Sequence, residues 1–524
     1  MISSYIILLI LAILPLVYKY SFWLYVIQLK EYRWDRFNEY LHTPQGKNAV
    51  FNFWFLLEVP FFLMTIILYF NPVFEYILYN LVFYFLVLWN IFVLGKIFRK
   101  KLTLPKKTGR LLTIAFVLLV GISFDFAFIL NNELFKFFYS YLFILFLIPV
   151  GIIFAIIFVL HPVVSYKKNK LINRASNKSK NNDHTIKIGI TGSYGKSSVK
   201  EFLCSILENE GNLLKTPENI NTELGVSSII LNELSEDNDY FVAEMGAYRI
   251  GEIETLGDIV NHKYGFLTAI GTQHLGLFGG IKNTIQAKCE IANKVSENKG
   301  ILYVNYDNQD IRNIKFDENL SVVSYGFYKH TDAHASNINI VKAVSSFDFH
   351  YKGEKYTFET NLVGIHNITN LSGVIACCID LGISIENMKK YLLNIKSPKS
   401  TLDITHNKNG SIYIDDSYNL SEDSLFSGLN VLSSFEGDTI LILDDILELG
   451  KESAYIHNSI GKRIAQTHSL AGIYYVGVNY KKDFINGLID GGYSEEKILK
   501  NLKNINEKSV MLFEGRRSAK YISK

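Results

Sequence analysis

Cysteine is scarce in these 524 residues: Cys204, Cys289, Cys377 and Cys378 are the whole set. Their spacing forms neither a zinc-ligand pattern nor a redox Cys-x-x-Cys, so dithiol and structural-zinc functions have no support. An excess of one charge is also lacking. The 53 Lys and Arg stand against 50 Asp and Glu, a formal net charge of +3, which gives a nucleic-acid partner no support. Nor does a small-residue cleavage site follow the first apolar run, which ends at Val17, so a removable signal peptide is not expected.

Apolar length is what the chain has in abundance. Five runs in the first third, 3–18, 51–70, 76–94, 111–130 and 137–160, approach the about 20 residues that cross about 30 Å of hydrocarbon. Lys19 closes the first run early unless the helix continues through 21–26 with that lysine snorkelling. Basic residues alternate between the loops. Lys30, Arg33, Arg36 and Lys47 follow the first run, Lys96 to Arg110 hold seven between the third and fourth, and Lys167 to Lys180 hold six after the fifth. The second-to-third loop has none, and the fourth-to-fifth has only Lys136. This alternation predicts five spans with the N-terminus outside and everything after Val164 in the cytoplasm, where the thiols stay reduced. Membrane lipids are therefore expected partners. Glu58 and Asp125 fall inside predicted spans, where ionisable groups are expensive; the sequence assigns them no role.

Residues 189–198 read Gly-Ile-Thr-Gly-Ser-Tyr-Gly-Lys-Ser-Ser, after the β-branched run 185–188 and before a helical stretch at 199–207. Strand, glycine-rich turn, Lys-Ser and helix together predict a phosphate cradle. The glycines allow a tight turn that points N–H groups at an anion, and the helix N-terminus adds partial positive charge. Lys196 reaches terminal phosphates and Ser197 offers a magnesium ligand. The expected nucleotide-binding residues are Gly192, Ser193, Gly195, Lys196, Ser197 and Ser198. Ile190 stands where the usual P-loop has its first glycine, which points to a subset of ATP users.

The polar, aperiodic stretch 166–184 reads as a linker. Beyond it, apolar runs at 240–243, 265–269 and 300–304 resemble buried parallel strands between amphipathic segments, and a second such pattern starts with 411–414 and 439–443. The expected organisation is a polytopic helical membrane region at 1–165, a linker at 166–184, a P-loop α/β domain with a parallel sheet at 185–397, and a Rossmann-like α/β domain at 398–524. Polar groups at strand ends are placed where an open α/β sheet binds ligands. Glu244 there is a hard-oxygen magnesium ligand or a helix cap, His274 a metal ligand or a structural histidine, and Lys288 a site lysine or a solvated one.

In this order, behind this loop, the motifs resemble those of the Mur ligase superfamily of ATP-dependent amide-forming enzymes. They include Asn219-Ile220-Asn221-Thr222-Glu223-Leu224-Gly225, Glu244-Met245-Gly246, Gly271 to His274, Ala287-Lys288 and Asn305-Tyr306-Asp307-Asn308. Gly364-Ile365-His366-Asn367 with Asn370, Asp415-Asp416-Ser417-Tyr418-Asn419, and Leu447-Glu448-Leu449-Gly450 with His457 continue the series. The details favour the branch that adds D-alanyl-D-alanine to UDP-muramoyl-tripeptide. By that resemblance Lys196 holds ATP phosphates, Ser197 and Glu244 ligate the catalytic magnesium, and His274 ligates a second one. Lys288 carries a carbamate, an anionic group beside the metals. Lys196, Lys288 and His274 are then the catalytic set, Asn305, Asp307 and Asp416 position the adenosine end, and Asn219, Asn221 and Arg517 face substrate.

The reaction so implied converts a carboxylate to an acyl phosphate, which an incoming amine attacks through a tetrahedral intermediate. Three departures stand out. A membrane region occupies the place of the family's UDP-sugar-binding domain, so the muramoyl acceptor is either UDP-linked or presented on a lipid. The usual Gly-Arg that opens the last domain aligns with Ser400-Thr401, leaving Lys396 or Lys399 as substitutes. The usual Lys-Gly-Ser-Arg becomes Glu514-Gly515-Arg516-Arg517. The resemblance therefore implies a membrane-tethered ligase of cell-wall precursor synthesis that uses ATP and Mg2+ to join D-alanyl-D-alanine to a muramoyl peptide. The alternatives are another amino acid on a lipid-linked precursor or capsule polymer, and a non-catalytic membrane scaffold.

Overall fold

Lys19 does not end the first helix. The computed structural model describes residues 2–30, 32–68, 75–100, 102–131, 138–271, 278, 280–328, 330–341, 344–362, 364–396, 401–407, 410–417, 420–447, 449, 452–502 and 508–522. Two compact units, Met1–Lys167 and Lys168–Lys524, make up the chain. The first contains helices α1 (Ile2–Leu29), α2 (Trp34–His42), α3 (Pro44–Val50), α4 (Phe53–Leu68), α5 (Glu75–Phe98), α6 (Gly109–Asn131), α7 (Phe138–Leu147) and the start of α8 (Pro149–Asn181). Helix α1 passes through Lys19 because Glu58 of α4 meets it. Their Nζ and Oε2 atoms are 2.5 Å apart, Nζ donates to Oε1 at 2.7 Å, and the Glu58 side chain is fully buried. The lysine is paired inside the unit, where snorkelling was expected.

Among the described residues four helices, α1, α5, α6 and α8, are long and apolar enough to cross a membrane, against the five spans expected. The run 51–70 accounts for the difference, while the run 137–160 divides yet still supplies α8. Helix α4 has 16 residues, about 24 Å at 1.5 Å per residue, and residues 69–70 of its run lie outside the described part. The run 137–160 divides because Pro149 lacks an N–H and has its φ fixed, so it starts a helix rather than continuing one. Aromatic rings fill the interior of this unit. Trp54 stacks on Trp89 with ring centroids 4.8 Å apart, and Phe61 on Phe143 at 5.6 Å. Asp125, the other ionisable group in a predicted span, accepts a 2.7 Å hydrogen bond from the Tyr141 hydroxyl.

A buried charge deprived of its partner has nothing to offset its lost hydration. Glu58→Ala is therefore expected to cost about 3–5 kcal/mol, whereas Lys19→Met combined with Glu58→Met costs much less. Thermal unfolding of the full chain in detergent micelles separates the two, and equal losses would show that the pair is not isolated from water.

The expected linker is helical as far as Asn181. Ile172, Ala175 and Ser179 fall at helical spacing and pack within the second unit, with Ala175 and Ser179 fully buried. Ser179 Oγ donates to the Val260 carbonyl and Ser176 Oγ to the Asp258 carbonyl, each at 2.7 Å. Small and hydroxylic side chains thus make a docking face that an apolar periodicity does not reveal.

The second unit carries two sheets. Strands β1 (Ile186–Thr191), β2 (Leu213–Lys215), β3 (Tyr240–Glu244), β4 (Tyr264–Leu267), β5 (Ile301–Asn305), β6 (Ser321–Gly326), β7 (Ala333–Val341), β8 (Val344–Tyr351) and β9 (Glu354–Thr360) form the first. Their order is β2-β3-β1-β4-β5-β6-β7-β8-β9, parallel as far as β7 and antiparallel beyond. Ile188, Ile190, Val242 and Phe266 are buried on one face and Phe241, Ala243 and Leu267 on the other. Burial on both faces explains the continuous apolar runs in the sequence. The chain leaves β1 toward β2 and β3, then returns to its other side as β4, so a crevice opens at the carboxyl ends of β1, β3 and β4. The second sheet joins β10 (Asp403–His406), β11 (Ile412–Asp416), β12 (Thr439–Leu443), β13 (Gly472–Tyr475) and β14 (Val510–Glu514) in the order β10-β11-β14-β12-β13, parallel except for the edge strand β10.

Candidate functional site

The glycine-rich loop turns at the end of β1 because Gly192 and Gly195 have φ of +151° and +79°. A Cβ on Gly192 would lie 2.1 Å from Thr268 Oγ1, so no side chain fits there. Ser193 N–H donates to the Ala269 carbonyl at 2.7 Å, and the Thr268 hydroxyl donates to the Tyr194 carbonyl, which ties the loop to the segment after β4. The Lys196–Leu207 helix then begins directly, with Ser198 buried in its first turn. Lys196 folds back over the loop: Nζ donates to the carbonyls of Gly192 at 2.7 Å and Ser193 at 3.1 Å. Loss of hydration lowers its pKa, and Glu244 opposes that effect.

Glu244 ends β3 and is the hub beneath the loop. Ser197 Oγ donates to Oε2 at 2.9 Å, and Asn221 Nδ2 donates to Oε1 at 3.1 Å. Gly246 permits the approach of Asn221, since a Cβ there would sit 2.9 Å from its amide. Asn219 takes a left-handed turn at φ +64° just ahead. Lys200, which sequence reasoning missed, belongs to the same cluster. It is one helical turn beyond Lys196 and fully buried, with Nζ 3.7 Å from Glu244 Oε2, 3.3 Å from Glu201 Oε1 and donating to the Thr216 carbonyl at 3.0 Å. Thr216 Oγ1 in turn accepts the Glu244 N–H at 3.0 Å. Its only signal was the 196, 200 spacing, which places both lysines on one side of a helix.

Lys288 lies on the Ile281–Cys289 helix and is buried, with Nζ 3.5 Å from the Ala247 carbonyl and 5.8 Å from the Phe278 ring. Burial first and the charge of Lys196 second bring its pKa down to about 7. His274 lies outside the described residues. Asn305, at the end of β5, donates to the Thr268 carbonyl at 2.8 Å and accepts from Asp307 N–H at 2.9 Å. Asp307 accepts from Phe327 and Tyr328 N–H at 2.9 and 3.1 Å and from the Thr369 hydroxyl at 2.7 Å, so its carboxylate organises the turn after β6. Asn370 also approaches the loop, 3.2 Å from where a Gly195 Cβ would stand.

Two predicted residues stand on the second sheet. Asp416 ends β11, and Arg517 follows β14, with its guanidinium held by Asp444 at 3.1 Å and Asp445 at 3.0 Å. The structure thus gathers Gly192, Ser193, Gly195, Lys196, Ser197, Asn221 and Glu244 in one crevice, with Asn305 beside it at Thr268. Asp416 and Arg517 mark the carboxyl edge of the other sheet. Chemically, the crevice offers backbone N–H groups and a lysine for phosphate, and hard oxygens for a small divalent cation.

Comparison with known proteins agrees with this geometry. The Mur ligase middle domain matches residues 190–378. The UDP-N-acetylmuramoyl-tripeptide--D-alanyl-D-alanine ligase of Buchnera aphidicola subsp. Baizongia pistaciae is 31% identical over 340 residues, 64% of this chain and 73% of that protein. The protein of the same name in Escherichia coli (strain K12) is 30% identical over 285 residues, 52% of this chain and 61% of that one. Among solved structures, MurF from Acinetobacter baumannii superposes with a TM-score of 0.62 at 27% identity, over 68% of this chain and 81% of that one.

Proposed function

The chain belongs to the Mur ligase family, an ATP-dependent, ADP-forming class, and from that premise we propose a membrane-anchored enzyme that joins D-alanyl-D-alanine to a muramoyl peptide. The observation that carries the reading is the junction of Ser197, Glu244 and Asn221 under the glycine loop. Two hard oxygens, Ser197 Oγ and Glu244 Oε2, lie 2.9 Å apart beside a phosphate cradle, a donor set that fits magnesium. A magnesium ion held there would neutralise charge on the transferring phosphoryl group. The loop N–H groups would bind the phosphates, and Lys196 would exchange its carbonyl partners for the terminal phosphate. Asn305 and Asp416 would position the adenosine end, as would Asp307 through the turn it organises. Asn219, Asn221 and Arg517 would face the peptide and amine substrates. Residues 185–397 and 398–524 would act as the two ligase domains.

Lys200 would act as a positioning residue, holding Glu244 from behind through its charge and through Thr216. Lys200→Met is expected to raise the magnesium needed for half-maximal activity by about 10–100-fold at nearly unchanged maximal rate. A magnesium titration checks this; an unshifted curve assigns Lys200 to packing alone.

The basic segments 96–110 and 167–180 support a cytoplasmic ligase unit. With α1, α5, α6 and α8 crossing, both segments share one side, and a fifth crossing at α4 would bring Lys30 to Lys47 to that side as well. The apolar helices, where relatives have a soluble UDP-sugar domain, favour a second reading of the acceptor as a lipid-linked muramoyl peptide. Phosphate release by purified protein, with UDP-linked or lipid-linked acceptor and with or without D-alanyl-D-alanine, distinguishes them. Turnover that needs acceptor and dipeptide and disappears in Lys196→Ala supports ligation, and the acceptor used identifies the precursor stage. ATP binding without turnover on any combination points to another substrate, and no ATP binding at all to a scaffold.

A further inference from the structure

Asp416 and Glu514 are register partners on the neighbouring parallel strands β11 and β14, at their carboxyl ends. Glu514 is fully buried and, among the described residues, neither of its carboxylate oxygens has a hydrogen-bond donor; Asp416 is buried too and, among those residues, accepts a long 3.3 Å bond from Leu402 N–H. Among the described residues no basic side chain pairs with either carboxylate. Asp415 precedes Asp416 on β11, while Asp444, beyond β12, is bonded to Arg517, whose guanidinium is spent on it and Asp445. The Glu422–Leu432 helix meets the pair with Gly428, where a Cβ would lie 2.5 Å from Glu514 Oε1. The next residue back, Ser427, contacts the half-buried imidazole of His366, whose pKa is lowered to about 4 by loss of hydration.

Two buried carboxylates side by side cannot both stay ionised without a cation, and a proton is the cation that fits where no described basic side chain pairs with them. We propose that Asp416 and Glu514 share a proton, and that Glu514 is thereby a positioning residue which fixes Asp416 for the nucleotide. The O–H of one carboxyl donates to an oxygen of the other, holding Asp416 in a single rotamer at the strand end. Loss of the proton to solvent leaves two repelling charges and releases that rotamer. This rests on the reading of Asp416 as a nucleotide-facing residue.

Burial foremost raises both groups, Asp416 to about 7 and Glu514 above the ordinary carboxylate range; Asp416 raises Glu514 further, whereas Leu402 N–H and Glu514 hold Asp416 back and the charge of Asp415 raises it. The folded chain therefore keeps protons that the unfolded chain releases. The pair's contribution to stability is full below the ordinary carboxyl range near 4 and declines as pH rises, through about 7 for Asp416 and on through the higher value of Glu514.

Full-length protein in lipid nanodiscs provides two independent readouts. In infrared difference spectra near neutral pH without nucleotide, wild type is expected to show a protonated-carboxyl C=O band that Glu514→Gln lacks. Affinity for a fluorescent ATP analogue is expected to weaken in wild type by about tenfold per pH unit once the pair ionises, the slope of one linked proton. Glu514→Gln, whose amide donates permanently to Asp416, is expected to bind with a flat profile at the wild-type low-pH affinity. Glu514→Leu, which leaves Asp416 alone, is expected to bind several-fold more weakly. A wild-type profile as flat as that of Glu514→Gln, with the analogue bound, overturns the positioning role and leaves the nucleotide reading standing. Failure of every form to bind overturns both. Absence of the band, with identical pH dependence of thermal unfolding in wild type and Glu514→Gln, overturns the shared proton.

Discussion

Glu244→Gln is expected to slow ligation by about a thousandfold while leaving the fold intact. The amide keeps the volume of the side chain and can still meet Asn221 and Ser197, whose bonds to Glu244 are 3.1 and 2.9 Å long. What it loses is the charge that a divalent cation needs. Metal stabilisation of a phosphoryl transition state is worth several kcal/mol, and each 1.36 kcal/mol is about tenfold in rate. Stability is expected to change little, because Lys200, 3.7 Å from Glu244, keeps Glu201 at 3.3 Å and the Thr216 carbonyl at 3.0 Å. Phosphate release as a function of magnesium and thermal unfolding without nucleotide check the two halves separately. A rate loss of only a few-fold would move the metal away from Glu244.

The nucleotide loop was legible in the sequence because its parts are contiguous: one strand, two glycines, Lys196 and Ser197 specify the turn locally. Glu244, Asn221 and Lys288 were legible only through the ordered motifs, since each alone has an ordinary structural explanation. Lys200 was not, because a helix lysine is usually solvated, and only the β2 and β3 ends bury this one. The helical linker was hidden for the opposite reason: its docking face is Ala175 and Ser179, residues that leave no apolar signature. In the N-terminal unit hydropathy located the apolar runs but not Pro149, a single residue that divides one of them. Lys19 marked the end of a span by composition, and its pairing with Glu58 in a distant run is invisible to a window.

With Lys288 as the catalytic residue proposed above, Lys288→Ala is expected to reduce ligation by about a hundredfold to a thousandfold, the cost of removing one charged group that would act on the reacting centre. An ordinary lysine near neutral pH is an ammonium ion with no lone pair to offer. Burial and the neighbouring Lys196 bring the pKa of Lys288 down to about 7, so near neutrality a large share of the amine is free. On the proposed reading that amine would attack carbon dioxide: the N–C bond forms as one C=O π bond opens onto oxygen, one proton leaves to solvent, and the neutral amine becomes a carbamate anion. Relative to the ammonium form, the modification would turn the repulsion between Lys288 and Lys196 into attraction, which would favour the carbamate in the folded protein. Below about pH 7 the ammonium form grows, and the carbamate is lost. Wild-type activity should therefore decline in carbon-dioxide-free buffer, more steeply on the acid side, and recover with added bicarbonate. Lys288→Ala should respond to neither treatment. With 13C-labelled bicarbonate, a carbamate resonance present in wild type and absent from the variant assigns the modified nitrogen, and full activity in Lys288→Ala would remove this residue from the chemistry.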